Sequence, residues 1–155
     1  MPYFLVGDDA FALKTWLMKP LPLRNMTVSQ RVFNYRLSRA RRVVENAFGI
    51  TVNRFRCLLT TMPQQPETVS TITLSCCILH NLLRIRRPYA ELPADLEIPD
   101  THQLVPGTWR EGREQGDMEE IYRGHTNAQA SRQRQYLVEY FNTEAGSVPW
   151  QLDMI

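Results

Sequence analysis

Two acidic positions in this chain have the residue types and the placement that metal-assisted chemistry requires. The first is the pair Asp8 and Asp9, which ends an apolar run at residues 3–6 in the stretch YFLVGDDAF, and the second is Glu45. A divalent cation that promotes phosphodiester hydrolysis is held by carboxylates that converge from different elements, such as a strand end and a helix. The structural alternative is a turn or a helix N-cap at the aspartates and an i,i+4 ion pair between Glu45 and Arg41. Spacing alone favours that alternative.

The element that carries Glu45 is the clearest helix in the sequence. It covers about residues 28–48, and either Thr27 or Ser29 could cap its N-terminus. Glu45 lies at the border of an apolar stripe, as the edge of a cleft requires. Gly49 is a natural residue to end the helix, although the apolar run after it could continue the helix. The stripe repeats at helical spacing and consists of Phe33, Leu37, Ala40, Val44, Ala47 and Phe48.

The remaining elements are predicted from apolar periodicity and from proline positions. Residues 3–6 are typical of a short buried strand, and residues 10–18 could begin a helical turn that the following prolines end. Residues 67–86 are apolar nearly all round, which predicts a buried central helix. Its His80 is expected to be a hydrogen-bonded core histidine rather than a catalyst. A last helix is predicted over about residues 127–142.

Composition divides the chain into three parts. Residues 1–88 carry the strand and the two long helices, whereas residues 89–126 are rich in acids, proline and glycine and are predicted to be an extended or disordered linker. Residues 127–155 contain the last helix and a segment that Trp150 is expected to anchor. The predicted fold class is therefore mostly α-helical, with one N-terminal strand, two or three long helices and an irregular tail.

The charge is polarised along the chain. Residues 1–56 carry ten basic against three acidic residues, and residues 89–155 carry five against twelve. A basic first part favours a polyanionic partner such as DNA, and a solvated arginine surface is the equal alternative. No helix-turn-helix pattern accompanies it, so sequence-specific recognition is expected from another region or a separate partner protein. The candidate contacts with the DNA backbone are Arg31, Arg39, Arg41 and Arg42.

The cysteines and the hydropathy pattern argue against several other classes. Cys57, Cys76 and Cys77 lack zinc-site spacing and are expected to be reduced thiols in an intracellular protein. No apolar run approaches the ~20 residues that span a membrane, and the N-terminus lacks the pattern of a signal peptide. We therefore expect neither structural zinc, nor disulfides, nor a membrane partner.

Four motifs, in order along the chain, resemble those of the Harbinger/PIF-type DDE transposase nucleases. They read VGDDAFALKTWLMKPLPL, FNYRLSRARRVVENAFG, LSCCILHNLL and YLVEYFNTEAGSVPWQ. The resemblance implies an RNase H-like α/β core in which an Asp-Asp-Glu triad binds Mg²⁺ or Mn²⁺ and cleaves DNA. It assigns the second aspartate to Asp8 and the glutamate to Glu45, and it places Asp9 at a variable position. A nuclear location is expected with it, and the cytoplasm is the alternative.

The chain departs from the family pattern at its start. The first triad aspartate belongs to a strand upstream of the GD motif, and this chain begins at the GD strand. We therefore expect the C-terminal part of a nuclease core, weak or inactive alone because it brings two of three carboxylates. One alternative is a non-catalytic, transposase-derived module that binds DNA or protein. The other is a small helical scaffold whose acids only cap and pair.

Overall fold

The computed structural model describes residues 3–86, 94–111 and 127–155. The chain divides into two compact units, one formed by residues 1–42 with 115–155 and the other by residues 43–114. The helices and strands, in chain order, are β1 (Leu5–Val6), β2 (Leu17–Met18), α1 (Val28–Arg54), α2 (Pro66–Arg86), β3 (Leu96–Glu97), β4 (Leu104–Val105) and α3 (Ala128–Tyr140). Two short 3-10 helices, Arg56–Leu59 and Thr108–Arg110, complete them.

The first unit is held together by a small apolar core. Strand β1 pairs in parallel with β2, with Leu5 opposite Leu17 and Val6 opposite Met18. The predicted strand is therefore confirmed at residues 5–6, but its predicted burial is wrong because Leu5 is 65% exposed. The helical turn predicted over residues 10–18 is wrong because that segment returns to pair with β1. Burial of the apolar side chains in the core of this unit removes apolar surface from water and stabilises the unit. The buried cluster consists of Leu13, Met18, Phe33, Leu37, Ala130, Leu137 and Val138.

Helix α1 begins where the sequence predicted and continues past its expected end. The Thr27 hydroxyl accepts a hydrogen bond from the Gln30 backbone N–H at 3.3 Å, and the Gln30 side chain accepts one from the Thr27 N–H at 2.9 Å. This reciprocal pair is a capping box. Of the two ends that the sequence left open, the one at Gly49 is wrong and the continuation into the apolar run is confirmed, because α1 runs on to Arg54. Gly49 instead lets the Trp109 indole approach the helix, since a Cβ at this position would lie 2.4 Å from the ring.

The second unit contains a β-hairpin within the predicted linker. Strand β3 pairs antiparallel with β4, and the hairpin is followed by the second 3-10 helix. Residues 94–111 of the predicted extended or disordered linker therefore contain a hairpin and a 3-10 helix, with Asp95 and Trp109 buried. The rest of residues 89–126, namely 89–93 and 112–126, lies outside the described residues.

Helix α2 is largely exposed, although its sequence predicted a buried central helix. Within the part of the chain that the structure describes, Cys76 is the one buried residue of α2. Leu74 is 62% exposed and Ile85 is 77% exposed. Burial depends on what other elements cover, so a helix's own sequence does not determine it. By length and composition alone α2 meets the criteria for a helix that crosses a membrane, contrary to our expectation that no apolar run is long enough.

Candidate active site

Asp8 lies two residues after the end of β1, in the first unit. The pairing of β1 positions it, since the Gly7 N–H donates to the Met18 carbonyl at 2.8 Å. Its Oδ1 accepts a hydrogen bond from the Ala10 N–H at 3.0 Å, and its Oδ2 lies 3.9 Å from the Arg41 guanidinium. Asp8 therefore makes the turn that the structural alternative predicted and also places a carboxylate beside a cation.

The same carboxylate lines an open cavity of about 370 Å³. Its lining includes the turn at residues 8–10 and the proline-containing segment at residues 20–23. Asn34 holds that segment, because its side-chain amide exchanges two hydrogen bonds with the Leu21 backbone, at 2.8 and 2.9 Å. Arg41 completes the lining. The cavity thus offers a carboxylate and a guanidinium side by side.

The Asp9 carboxylate makes different contacts from that of Asp8. Its carboxylate forms an exposed ion pair with Lys19 at 2.9 Å, and the Lys19 ammonium also donates to the Asp9 carbonyl at 2.7 Å. Asp9 is 71% exposed at its side chain. These contacts hold the turn together, so Asp9 has a local partner while Asp8 lies next to Arg41.

Glu45 belongs to the second unit, on the part of α1 that follows residue 42. Its Oε2 lies 3.7 Å from the Arg110 guanidinium, and its side chain is 35% exposed. Asp8 and Glu45 therefore lie in different units, and their convergence on one metal stays a prediction. Each carboxylate has an arginine near it, Arg41 for Asp8 and Arg110 for Glu45.

Arg110 is the residue near Glu45 that the sequence did not reveal. Its guanidinium forms a forked ion pair with Asp95, whose side chain is fully buried, with Nε 2.9 Å from Oδ1. It also lies over the Trp109 ring, 4.1 Å from the centroid. Asp95, Trp109 and Arg110 were not singled out from the sequence, because their segment has the composition of an acidic linker. The tryptophan was the available signal, since a large aromatic residue in a polar stretch often anchors it to a core.

The predicted DNA contacts lie along the first half of α1, in the first unit. Arg31 is exposed, Arg41 faces Asp8, and Arg42 is half-buried. The Arg39 guanidinium lies over the Trp150 ring, 5.3 Å from its centroid. That contact supports the predicted anchoring by Trp150 and gives Arg39 a role in packing. Contact with DNA stays a prediction for all four residues.

His80 is hydrogen-bonded, as predicted, but it is half-buried on a largely exposed helix and does not lie in a core. The Thr51 hydroxyl donates to the Ala47 carbonyl at 2.7 Å, so at 3.0 Å from the His80 Nδ1 it is left to accept, and the ring carries its proton there. Burial lowers the pKa of His80 below its ordinary value of 6.5, and the nearby Arg54 and Arg84 lower it further. The neutral ring therefore links α1 and α2 structurally.

The donor chemistry of the site suits a divalent cation of the Mg²⁺ or Mn²⁺ type, because such ions prefer carboxylate oxygens. Asp8 presents its carboxylate to an open cavity, and Glu45 is partly exposed. Among the described residues, no group of three or more histidine, cysteine, aspartate or glutamate side chains is gathered to hold a metal. Asp8 and Glu45 each offer the oxygen donors that such an ion prefers, and their binding of one shared ion stays a prediction.

Comparison with known proteins places these residues in a family context. A family model described as DDE superfamily endonuclease matches residues 1–81, which include both Asp8 and Glu45. The chain is 39% identical over 82 residues to "Putative nuclease HARBI1" from Homo sapiens, and it has the same identity to the Bos taurus protein. Each match covers 51% of this chain and 23% of the relative. It is 30% identical over 82 residues to "Protein ALP1-like" from Arabidopsis thaliana, covering 52% of this chain and 20% of that protein.

These matches confirm the resemblance that the first three motifs indicated. The chain spans about a quarter of the length of the curated relatives it matches. The fourth motif, near the C-terminus, lies beyond the matched residues and stays a prediction. No solved structure matches the chain.

Proposed function

Because this chain belongs to the DDE superfamily endonuclease family, we propose that it is part of a DNA endonuclease that depends on Mg²⁺ or Mn²⁺. Asp8 and Glu45 are the proposed metal ligands and catalytic residues. The observation that carries the proposal is the position of Asp8, two residues after β1, with its carboxylate on an open cavity beside Arg41. The third carboxylate that the family resemblance implies is not assigned to a residue of this chain.

The chain's own residues would bind and orient the substrate. A divalent cation, when bound, supplies a polarised water and stabilises charge on phosphate oxygens. Arg41 lies 3.9 Å from Asp8 and presents a guanidinium, which suits a phosphate of the DNA backbone. In that role Arg41 exchanges its partner, from the aspartate in the metal-free protein to a phosphate in the complex. The Lys19–Asp9 pair keeps the turn that holds Asp8.

DNA binding would use the basic half of α1. Arg31, Arg39, Arg41 and Arg42 are the proposed contacts with backbone phosphates, and they lie on one element in one unit. Affinity from such contacts falls steeply as the salt concentration rises, because the counterions that binding releases from the DNA then gain less entropy. We place this activity in the nucleus, where the substrate is, and assign sequence recognition to a partner protein or another region.

Nicking of supercoiled plasmid DNA tests the proposal. The full chain is incubated with plasmid in Mg²⁺ or Mn²⁺, and we expect slow nicking that EDTA abolishes. D8N and E45Q should each remove it, because each deletes a metal-binding charge. E67Q should nick like the wild type, because Glu67 is exposed in the first turn of α2 and has no role in the proposed site. Equal nicking by D8N and wild type would overturn the assignment of Asp8.

The second candidate is a non-catalytic module that binds DNA or protein. The specific observation in its favour is that each proposed ligand already lies near an arginine, at 3.9 Å for Asp8 and 3.7 Å for Glu45. Such pairs are compatible with a purely structural role. Salt-dependent binding of duplex DNA without nicking in either metal would favour this candidate over the nuclease.

A further inference from the structure

A buried carboxylate fixes Arg110 in the second unit. The Asp95 side chain has no exposed surface, and both of its oxygens accept from the guanidinium, with Nε 2.9 Å from Oδ1 and Nη2 2.5 Å from Oδ2. The Gly107 N–H donates to the same carboxylate at 2.8 Å. The hydrogen bond to Asp95 also raises the pKa of Arg110, so the guanidinium is always charged. A forked pair of this kind sets the orientation of the guanidinium plane as well as its position.

The Asp95–Arg110 pair is tied to helix α1 next to Glu45. Asn46 accepts from the Asp95 N–H at 2.8 Å and donates to the Asp95 carbonyl at 3.1 Å. The Trp109 indole N–H donates to the same Asn46 side chain at 3.0 Å, and Arg110 lies on the ring. Asn46, which follows Glu45 in the sequence, thus holds Asp95 and Trp109, and these two residues fix the Arg110 guanidinium that faces Glu45.

We propose that Arg110 is a positioning residue for Glu45, held by Asp95, Trp109 and Asn46 so that its guanidinium orients the Glu45 carboxylate to bind a metal. The inference rests on the proposed function, and it adds to it a residue outside the matched family region. The carrying observation is the 3.7 Å approach of the Arg110 Nη2 to the Glu45 Oε2.

The charges of the cluster favour orientation over inhibition. An unmatched guanidinium beside a metal ligand would repel the incoming cation. Here the Arg110 charge is matched by buried Asp95, so Asp95, Arg110 and Glu45 together sum to one net negative charge. Ligating carboxylates are commonly oriented by such outer partners, and removing them weakens metal binding. Arg110 therefore restricts the Glu45 rotamers at little electrostatic cost to the metal.

Two measurements on the full chain test the inference. The first is the side-chain motion of Glu45 in the metal-free protein, measured by NMR relaxation, which should increase in R110M because the guanidinium no longer restricts the carboxylate. The second is the Mn²⁺ dissociation constant, which should rise by about 10- to 100-fold in R110M. R56M is the matched control, since Arg56 is exposed in the first 3-10 helix, and it should leave both quantities unchanged.

A second variant guards against loss of folding. R110K keeps a cation for buried Asp95 but lacks the fork, so we expect a folded protein with a smaller rise in both quantities. If the wild type binds no Mn²⁺, the proposed function is overturned, and the motion of Glu45 still decides whether Arg110 orients it. If the wild type binds Mn²⁺ and both Arg110 variants match R56M, the inference is overturned and the proposed function stands.

Discussion

Replacing Gly49 with alanine should destabilise the second unit, against the usual effect of this substitution. Gly49 lies inside α1, where glycine is about 1 kcal/mol less favourable than alanine. Propensity alone therefore predicts that G49A stabilises the helix. The structure predicts the reverse, because the new Cβ would lie 2.4 Å from two carbons of the Trp109 ring and 2.8 Å from a third.

The magnitude follows from the displacement that the Cβ requires. Carbon atoms pack at about 3.5–4.0 Å, so the indole must retreat by roughly 1 Å. Trp109 is buried and is held by its bond to Asn46 and by Arg110, so it cannot move without disturbing both. Overpacking of this kind costs about 1–3 kcal/mol, and the upper end applies to a ring held on two sides. After the propensity gain, we expect G49A to lower the free energy of unfolding by about 2 kcal/mol.

The assay is urea denaturation of the full chain, with unfolding monitored by far-UV circular dichroism. The same substitution is also made in a W109A background, where the ring is gone and G49A should raise the free energy of unfolding by up to about 1 kcal/mol. S38A is the control for helix propensity, because Ser38 is exposed on α1. The reasoning fails if G49A stabilises the wild type, or if its effect is the same with and without the indole.

Two further predictions concern the titratable groups of α2. The pKa of His80 is lowered in the folded state, so the unfolded chain binds more protons near pH 6. The free energy of unfolding should therefore fall as the pH drops below about 6.5. The urea denaturation midpoints at pH 5.5 and pH 7.5 should differ less in H80Q than in the wild type. Burial and contact with the Cys57 thiol raise the pKa of Cys76. Iodoacetamide at pH 8 should therefore label exposed Cys57 and Cys77 before Cys76, as peptide mass spectrometry would detect; faster labelling of Cys76 would contradict its burial.

The helices that carry strong local signals were predictable from the sequence. The polar cap at Thr27 and the apolar period located the start of α1, and Asn127 caps α3 through the Gln129 N–H at 2.8 Å. These features depend on neighbours within one turn of helix, which the sequence contains. The order of the motifs around Asp8 and Glu45 likewise indicated the family, since short motifs are local too.

The partners of the two carboxylates were not predictable in the same way. Arg110 lies 65 positions after Glu45, and the segment between β3 and the second 3-10 helix has the composition of a linker. Asp95 looks like one more solvated acid in that segment, yet it is fully buried and paired. A carboxylate is stable in such a place only when a cation and hydrogen-bond donors satisfy it, and those groups come from other positions along the chain.

Sequence by itself determined the positions of the helices, the chemical types at the candidate site and the family to which residues 1–81 belong. Tertiary structure alone decided that Gly49 accommodates an indole instead of ending a helix, that α2 is mostly exposed, and that Arg110 faces Glu45. The physical reason is the range of the interactions. Propensity, capping and periodicity act within a few residues, whereas burial and charge pairing depend on which distant segments meet in space.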